Sequence, residues 1–119
     1  MKKTVVLGAS ENPARYSNMA TQRLRANGHP VVAIGSREGK IADVDIIKEH
    51  PAMDDVDTVT LYLNPANQQP YYDYILSLKP KRVIFNPGTE NEELETMVEA
   101  QGGKVMEACT LVLLSTGQY

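Results

Sequence analysis

Residues Val5–Gly28 read VVLGASENPARYSNMATQRLRANG. An apolar run, Val5-Val6-Leu7, reaches Gly8, and a stretch with helical spacing follows. Strand, glycine turn and helix are how a dinucleotide-binding unit opens. The usual G-x-G-x-x-G is absent, however. The loop reads Gly8-Ala9-Ser10-Glu11-Asn12-Pro13, followed by Arg15-Tyr16-Ser17-Asn18. The glycines of that motif separately serve the tight turn, the approach of backbone to pyrophosphate, and helix packing. Only the turn is served by glycine here. Ala9 and Ser10 are small, yet they hold a ligand farther from the backbone. Pro13 delays helix entry until about Arg15, where Ser17 or Asn18 is placed to cap the helix. The helix start supplies free N–H groups and a positive dipole end. Arg15 adds a guanidinium fork suited to phosphate, and Ser10 and Ser17 add hydroxyls. The loop is therefore expected to hold phosphate with side chains where other such loops use bare backbone.

Outward from this unit, strands alternate with helices. Lys3–Leu7 is expected as a strand and Ser17–Asn27 as a helix, with Tyr16, Ala20, Leu24 and Asn27 roughly on one side and Gly28 ending it. Val31–Ile34 reads as a second strand, Gly35–Lys40 as a loop, and Ile41–Ile47 as one short edge strand. Thr58–Leu63 is β-branched and aromatic and reads as a strand. Tyr71–Leu78 carries Tyr71, Ile75 and Leu78 at helical spacing, with Pro65 and Pro70 near its start. Arg82–Phe85 is a strand, Asn91–Gln101 a helix ended by Gly102-Gly103, and Lys104–Glu107 a last strand. This alternation predicts a single α/β domain over residues 1–119. Its fold is Rossmann-like, with three layers and a mostly parallel sheet. Ligands in such sheets sit outside the carboxyl ends of the strands, near the switch in strand order. Those ends are Gly8-Ala9-Ser10, Gly35-Ser36-Arg37, Leu63-Asn64-Pro65 and Asn86-Pro87-Gly88.

Composition narrows the classes of function. The 119 residues suffice for a core without disulfides or metal, and the hydrophobic content of 42% is that of a folded chain. A net charge of −3 without clustered Lys and Arg argues against nucleic acid. No apolar run approaches the roughly 18 residues of a membrane span. The apolar part of the opening segment stops at Gly8-Ala9-Ser10, so a strand rather than a signal peptide is expected. One cysteine, Cys109, allows no internal disulfide and no multi-cysteine metal site, and the cytoplasm is the expected compartment. His29 and His50 have no ligand spacing, so no metal is expected.

The second strand bears on the sugar. Readers of NAD place Asp or Glu at its end. Here the residues are Gly35-Ser36-Arg37-Glu38-Gly39-Lys40, and Arg37 and Lys40 suit a phosphorylated ribose. NADP and coenzyme A both carry one. In FNPGTENEELE, Thr89 stands three residues before Glu92, as in a capping box, and Glu90, Glu92 and Glu93 crowd the helix start. That acidic start repels phosphate, so a ligand charged at one end and neutral at the other fits the strand ends. Coenzyme A, with its pantetheine arm, has this shape.

LGASENPARYSNMA, VDTVTLYLNP, FNPGTENEELE and EACTLVLLSTGQ, in that order, resemble the CoA-binding domain family. That family is similar to the amino-terminal domain of the succinyl-CoA synthetase alpha chain and includes small stand-alone bacterial proteins. The resemblance implies a Rossmann-like fold that binds CoA, or a short acyl-CoA, along its strand ends. It implies phosphate contacts from Gly8, Ala9, Ser10, Arg15, Tyr16 and Ser17. It implies adenosine contacts from Gly35, Ser36 and Arg37, and pantetheine contacts from Leu63, Asn64, Pro65, Asn86, Pro87 and Gly88. The second-strand loop departs from the proline-rich form common in the family. The phosphohistidine of the synthetase belongs to a later domain, and ligase chemistry is not expected within these residues.

No catalytic residue is expected. His29 lies toward the opposite edge, and His50 lies in a charged loop. Ser10 lacks the G-x-S-x-G elbow. Cys109 has no nearby His or Lys in sequence to lower its pKa. Tyr71-Tyr72-Asp73-Tyr74 suits packing, or a contact with a second copy or a partner protein. The expectation is a CoA-binding module. An NADP-binding sensor or reductase-like domain, and an interaction protein that keeps the fold without the ligand, are the alternatives.

Overall fold

The computed structural model describes residues 1–119, and its elements follow the expected alternation with five differences. The strands are β1 (Thr4–Leu7), β2 (Val31–Ile34), β3 (Gly39–Ile41), β4 (Val44–Ile47), β5 (Thr58–Leu61), β6 (Arg82–Phe85) and β7 (Lys104–Glu107). The helices are α1 (Tyr16–Ala26), α2 (Pro65–Gln68), α3 (Tyr72–Leu78), α4 (Glu92–Ala100) and α5 (Thr110–Ser115). All strands join one sheet in the order β3-β4-β2-β1-β5-β6-β7, parallel except for β3. No helix is long and apolar enough to cross a membrane.

Strand alternation sends successive side chains to opposite faces. Val5 and Leu7 of β1 join Val59, Leu61, Val83 and Phe85 beneath Ile75 and Leu78 of α3 and Leu94 and Val98 of α4. Val6 points the other way and packs with Leu24 of α1, Ala33 and Ile46. The sheet is thus covered on both faces, and three layers result. From β1 the chain passes to β2 on one side, while β5 pairs with β1 on the other. The order reverses there, so the crevice between the carboxyl ends of β1 and β5 is the topological switch point.

The five differences have local causes. The segment expected as one edge strand, Ile41–Ile47, is a hairpin, with Ile41 opposite Val44. Ala42 makes the turn at φ 54°. Left-handed backbone usually announces itself with Gly, Asn or Asp, and alanine hides the turn in the sequence. The loop before it therefore ends at Glu38 rather than Lys40. Second, α1 starts at Tyr16, one residue earlier than expected, and its N-cap is Arg15 without a side-chain cap. Ser17 and Asn18 are buried inside its first turn and do not cap it. Tyr16 is exposed rather than part of the packed face. Third, β5 stops at Leu61. Pro65 starts the separate helix α2, which Asn64 caps by accepting from the Asn67 N–H at 3.0 Å. A 3-10 turn, Gln69–Tyr71, then leads into α3. Fourth, α4 is capped by Asn91, not Thr89, and the Glu95 carboxylate accepts from the Asn91 N–H at 3.2 Å. Fifth, helix α5 has no counterpart among the expected elements. Its six residues, TLVLLS, are too few for a helical period to show.

His29 lies at the end of the sheet remote from the switch point. Its Nδ1 accepts from the Lys2 N–H at 3.1 Å, and its ring lies 4.9 Å from that of Tyr119. Burial, then the Lys2 charge, hold its pKa below the ordinary histidine value. The fold thus prefers the neutral ring. The stability this provides is present above the unfolded value of about 6.5 and is lost as pH falls through the folded value. Urea denaturation at about pH 7.5 and about pH 5 should show a larger loss for wild type than for His29→Gln, which keeps an acceptor but cannot titrate. Equal losses would mean that His29 does not report on folding.

Candidate functional site

A cavity of about 950 Å³ opens at the switch point. The β1–α1 loop forms one wall: Gly8-Ala9-Ser10-Glu11-Asn12 and Ala14-Arg15-Tyr16-Ser17. Gly35-Ser36-Arg37-Glu38, after β2, forms the second. Tyr62, Leu63, Tyr71, Pro87 and Thr89 close the far end. The volume is at the upper end of the ~300–1,000 Å³ usual for small-molecule sites.

The backbone of the β1–α1 loop shows how it manages with one glycine. Gly8 has φ +96°, and an added Cβ there would lie 3.2 Å from the Tyr62 backbone. Glycine therefore serves both the turn and the close passage of β5. Gly8 and Ala9 donate to the Ile34 carbonyl, each at 3.0 Å. The Ala9 carbonyl then lies 2.4 Å from where a Gly35 Cβ would stand. The close approach that the missing glycines usually allow is made here to β2. Ser10 Oγ accepts from the Asn12 N–H at 3.1 Å, and Asn12 Oδ1 from the Ala14 N–H at 3.0 Å. Asn18 Nδ2 donates to the Ser10 carbonyl at 2.9 Å. Side chains thus brace the loop from within.

This bracing leaves donors free. The backbone N–H groups of Ser10, Glu11, Tyr16 and Ser17 have no partner in the protein, and neither do those of Ser36, Arg37 and Glu38. The Arg15 and Arg37 side chains make no salt bridge. Both line the cavity. The eleven-residue helix α1 starts at this loop with its dipole toward the cavity and no acidic residue in its first turn.

The far end differs in kind. No charged side chain lines it. The first turn of α4 carries Glu92, Glu93 and Glu95, and Glu90 accepts from the Gly88 N–H at 2.9 Å. Buried Gln68 joins two cavity-lining residues: its Nε2 donates to the carbonyls of Leu63 at 2.8 Å and Thr89 at 2.7 Å. Its Oε1 accepts from Asn91 at 2.9 Å. Burial pushes the Tyr62 hydroxyl up to about 12, which keeps it protonated.

Of the residues expected at the site, Gly8, Ala9, Ser10, Arg15, Tyr16, Ser17, Gly35, Ser36, Arg37, Leu63 and Pro87 meet at this cavity. Asn64, Pro65, Asn86 and Gly88 stand outside its lining. Asn64 caps α2, and Pro65 begins it. Asn86 is buried: its Nδ2 donates to Thr60 Oγ1 and to the Leu61 carbonyl, and its Oδ1 accepts from the Thr110 N–H. Cys109 precedes α5 as its N-cap and does not line the cavity. Glu11, Tyr62, Tyr71 and Thr89 in the lining, and Gln68 behind it, are not expected from the sequence. Nothing in their spacing marks them, because the cavity is assembled from loops far apart in the chain. No hydroxyl in the lining hydrogen-bonds to a His, Asp or Glu side chain.

A family model described as a CoA binding domain matches residues 2–115. A crystal structure of a protein described as uncharacterized is 52% identical, covers 100% of this chain and 98% of its own, and has a TM-score of 0.97. A Thermus thermophilus protein, cell-free ID.343, is 21% identical over 99% of this chain and 90% of its own, with a TM-score of 0.86. The dinucleotide-forming acetyl-coenzyme A synthetase 1 of Ca. Korarchaeum cryptofilum, solved with phosphate and ADP, matches at 19% identity and a TM-score of 0.70. That match covers 90% of this chain and 25% of the synthetase. The last two likenesses are of fold. No curated protein matches the chain.

Proposed function

The chain belongs to the CoA binding domain family, and on that premise we propose that the cavity binds coenzyme A or a short acyl-CoA. The observation that carries this reading is the asymmetry of the lining. Every charged lining residue lies on the β1 and β2 side, as does the start of α1, whose first turn carries no acidic residue. The β5 and β6 side is uncharged and stands beside an acidic helix start. The pyrophosphate meets Ser10, Arg15 and the N–H groups of Tyr16 and Ser17. The phosphorylated ribose lies by Ser36 and Arg37. Pantetheine runs past Leu63 and Pro87 toward Tyr71 and Thr89. We assign the module a binding or regulatory role, and its single cysteine suits the cytoplasm.

Thermal unfolding with CoA, acetyl-CoA, NAD and NADP tests the reading. A ligand at 100 times its Kd stabilises by about 2.7 kcal/mol. CoA or acetyl-CoA should raise the midpoint, and the pyridine nucleotides should not. Stabilisation by NADP alone would make this a dinucleotide sensor. No response to any of the four would leave an interaction protein on a ligand-binding fold.

Arg15→Ala should leave stability unchanged, because the side chain is exposed. It should weaken CoA by about tenfold or more, since a hydrogen bond to a charged group contributes roughly 1.5–3 kcal/mol. Calorimetric titration checks this, and equal affinities would move the phosphates elsewhere.

A further inference from the structure

An acidic side chain in the wall of a site for a polyanion is unfavourable unless it does something else. Glu11 is such a side chain. Its Oε2 accepts from the Lys40 N–H at 2.9 Å. Its Cγ and Cδ both lie 2.3 Å from the position a Gly39 Cβ would take, so the side chain rests directly on that glycine. Four residues earlier, Gly35 receives the Ala9 carbonyl in the same manner. The segment Ser36–Glu38 is therefore clipped at both ends onto the β1–α1 loop, by Ala9 on Gly35 and by Glu11 on Gly39. Between the clips its three N–H groups have no protein partner.

We propose that Glu11 is a positioning residue for the adenosine half of the ligand. Its carboxylate, seated on Gly39 and bonded to Lys40, sets where Ser36–Glu38 stands relative to the phosphate loop. It does so without touching the ligand's phosphates, which it would repel. This rests on the CoA reading above. It also accounts for the glycine at 39, whose φ is not in the left-handed region and which no turn requires. The three atoms nearest a methyl group at 39 all belong to the Glu11 side chain, not to backbone. Gly39→Ala should thus evict the carboxylate while sparing the fold.

The test is an amide-shift titration of wild type, Glu11→Ala, Gly39→Ala and the double variant. The ligands are CoA and 4′-phosphopantetheine, which lacks the adenosine half. Wild-type melting in all variants establishes that the fold is intact. Each single variant should lower the ratio of CoA to phosphopantetheine affinity about tenfold, the scale of ordering two or three side chains anew. The double variant should be no worse than Glu11→Ala, because the methyl then has nothing to displace. Wild type that binds CoA while both variants keep its affinity ratio would overturn the proposal alone. So would losses that simply add in the double variant. Wild type that binds neither compound overturns the CoA reading and this inference with it.

Discussion

Gly35→Ala is expected to cost roughly 2–3 kcal/mol of stability, the upper range for forcing a methyl group into filled space. Gly35 is buried, and its N–H is bonded to the Ile47 carbonyl at 3.0 Å. The new methyl would stand 2.4 Å from the Ala9 carbonyl oxygen and 3.0 Å from Ile46 Cγ2. The first of these is backbone. Ala9 in turn donates to the Ile34 carbonyl, so it cannot move without releasing β2. The β1–α1 loop must shift or β2 must part from β4. Ligand affinity should fall with stability, since the shifted loop carries Ser10 and Arg15. Urea denaturation and a CoA titration on one preparation measure both. Wild-type stability in this variant would mean that Ala9 is not seated on Gly35.

Asn86→Ala is expected to be costlier. Asn86 connects three elements: it donates to Thr60 Oγ1 at 2.7 Å and to the Leu61 carbonyl at 2.9 Å, and it accepts from Thr110 at 2.9 Å. Thr60 and Thr110 also share a hydrogen bond of 2.8 Å, and both are buried. Alanine leaves the Thr110 N–H and the Leu61 carbonyl without these partners. Each such loss costs about 1–3 kcal/mol, so the sum should reach about 4 kcal/mol. That is a large part of the ~5–15 kcal/mol available to a small protein. Helix α5 should loosen first, because its N-terminal N–H is the one released. Faster hydrogen exchange at Leu113, whose N–H is bonded to the Cys109 carbonyl, would show this. Exposed Pro87, next in sequence, should tolerate alanine. An Asn86→Ala protein as stable as wild type would contradict the network.

The same contrast explains what could be read in advance. The parallel sheet was legible because four of its strands are continuous apolar or β-branched runs set between helical stretches. The first wall of the cavity was legible because one loop supplies it in sequence order. The hairpin at Ala42 and helix α5 were not, since a lone alanine at φ 54° and a six-residue helix leave no periodic trace. Asn86 reads as a strand-end turn residue in FNPGTE, and its partners stand 24 to 26 positions away. Glu11 and Gly39 are 28 apart and look like ordinary loop residues. Such pairs acquire a role only when the sheet order brings β1 beside β2.

CoA is expected to lie across the carboxyl ends of β1, β2 and β5, with its phosphates at the start of α1. Backbone amide spectra recorded during a CoA titration test it most directly. The largest shifts should fall on Ser10, Glu11, Tyr16 and Ser17, whose N–H groups are free, with smaller ones at Ser36–Glu38 and at Leu63 and Thr89. His29, Lys104 and the hollow around Pro30, Val44 and Asp45 should stay still. Shifts centred on that hollow, or none at millimolar CoA, would contradict the account.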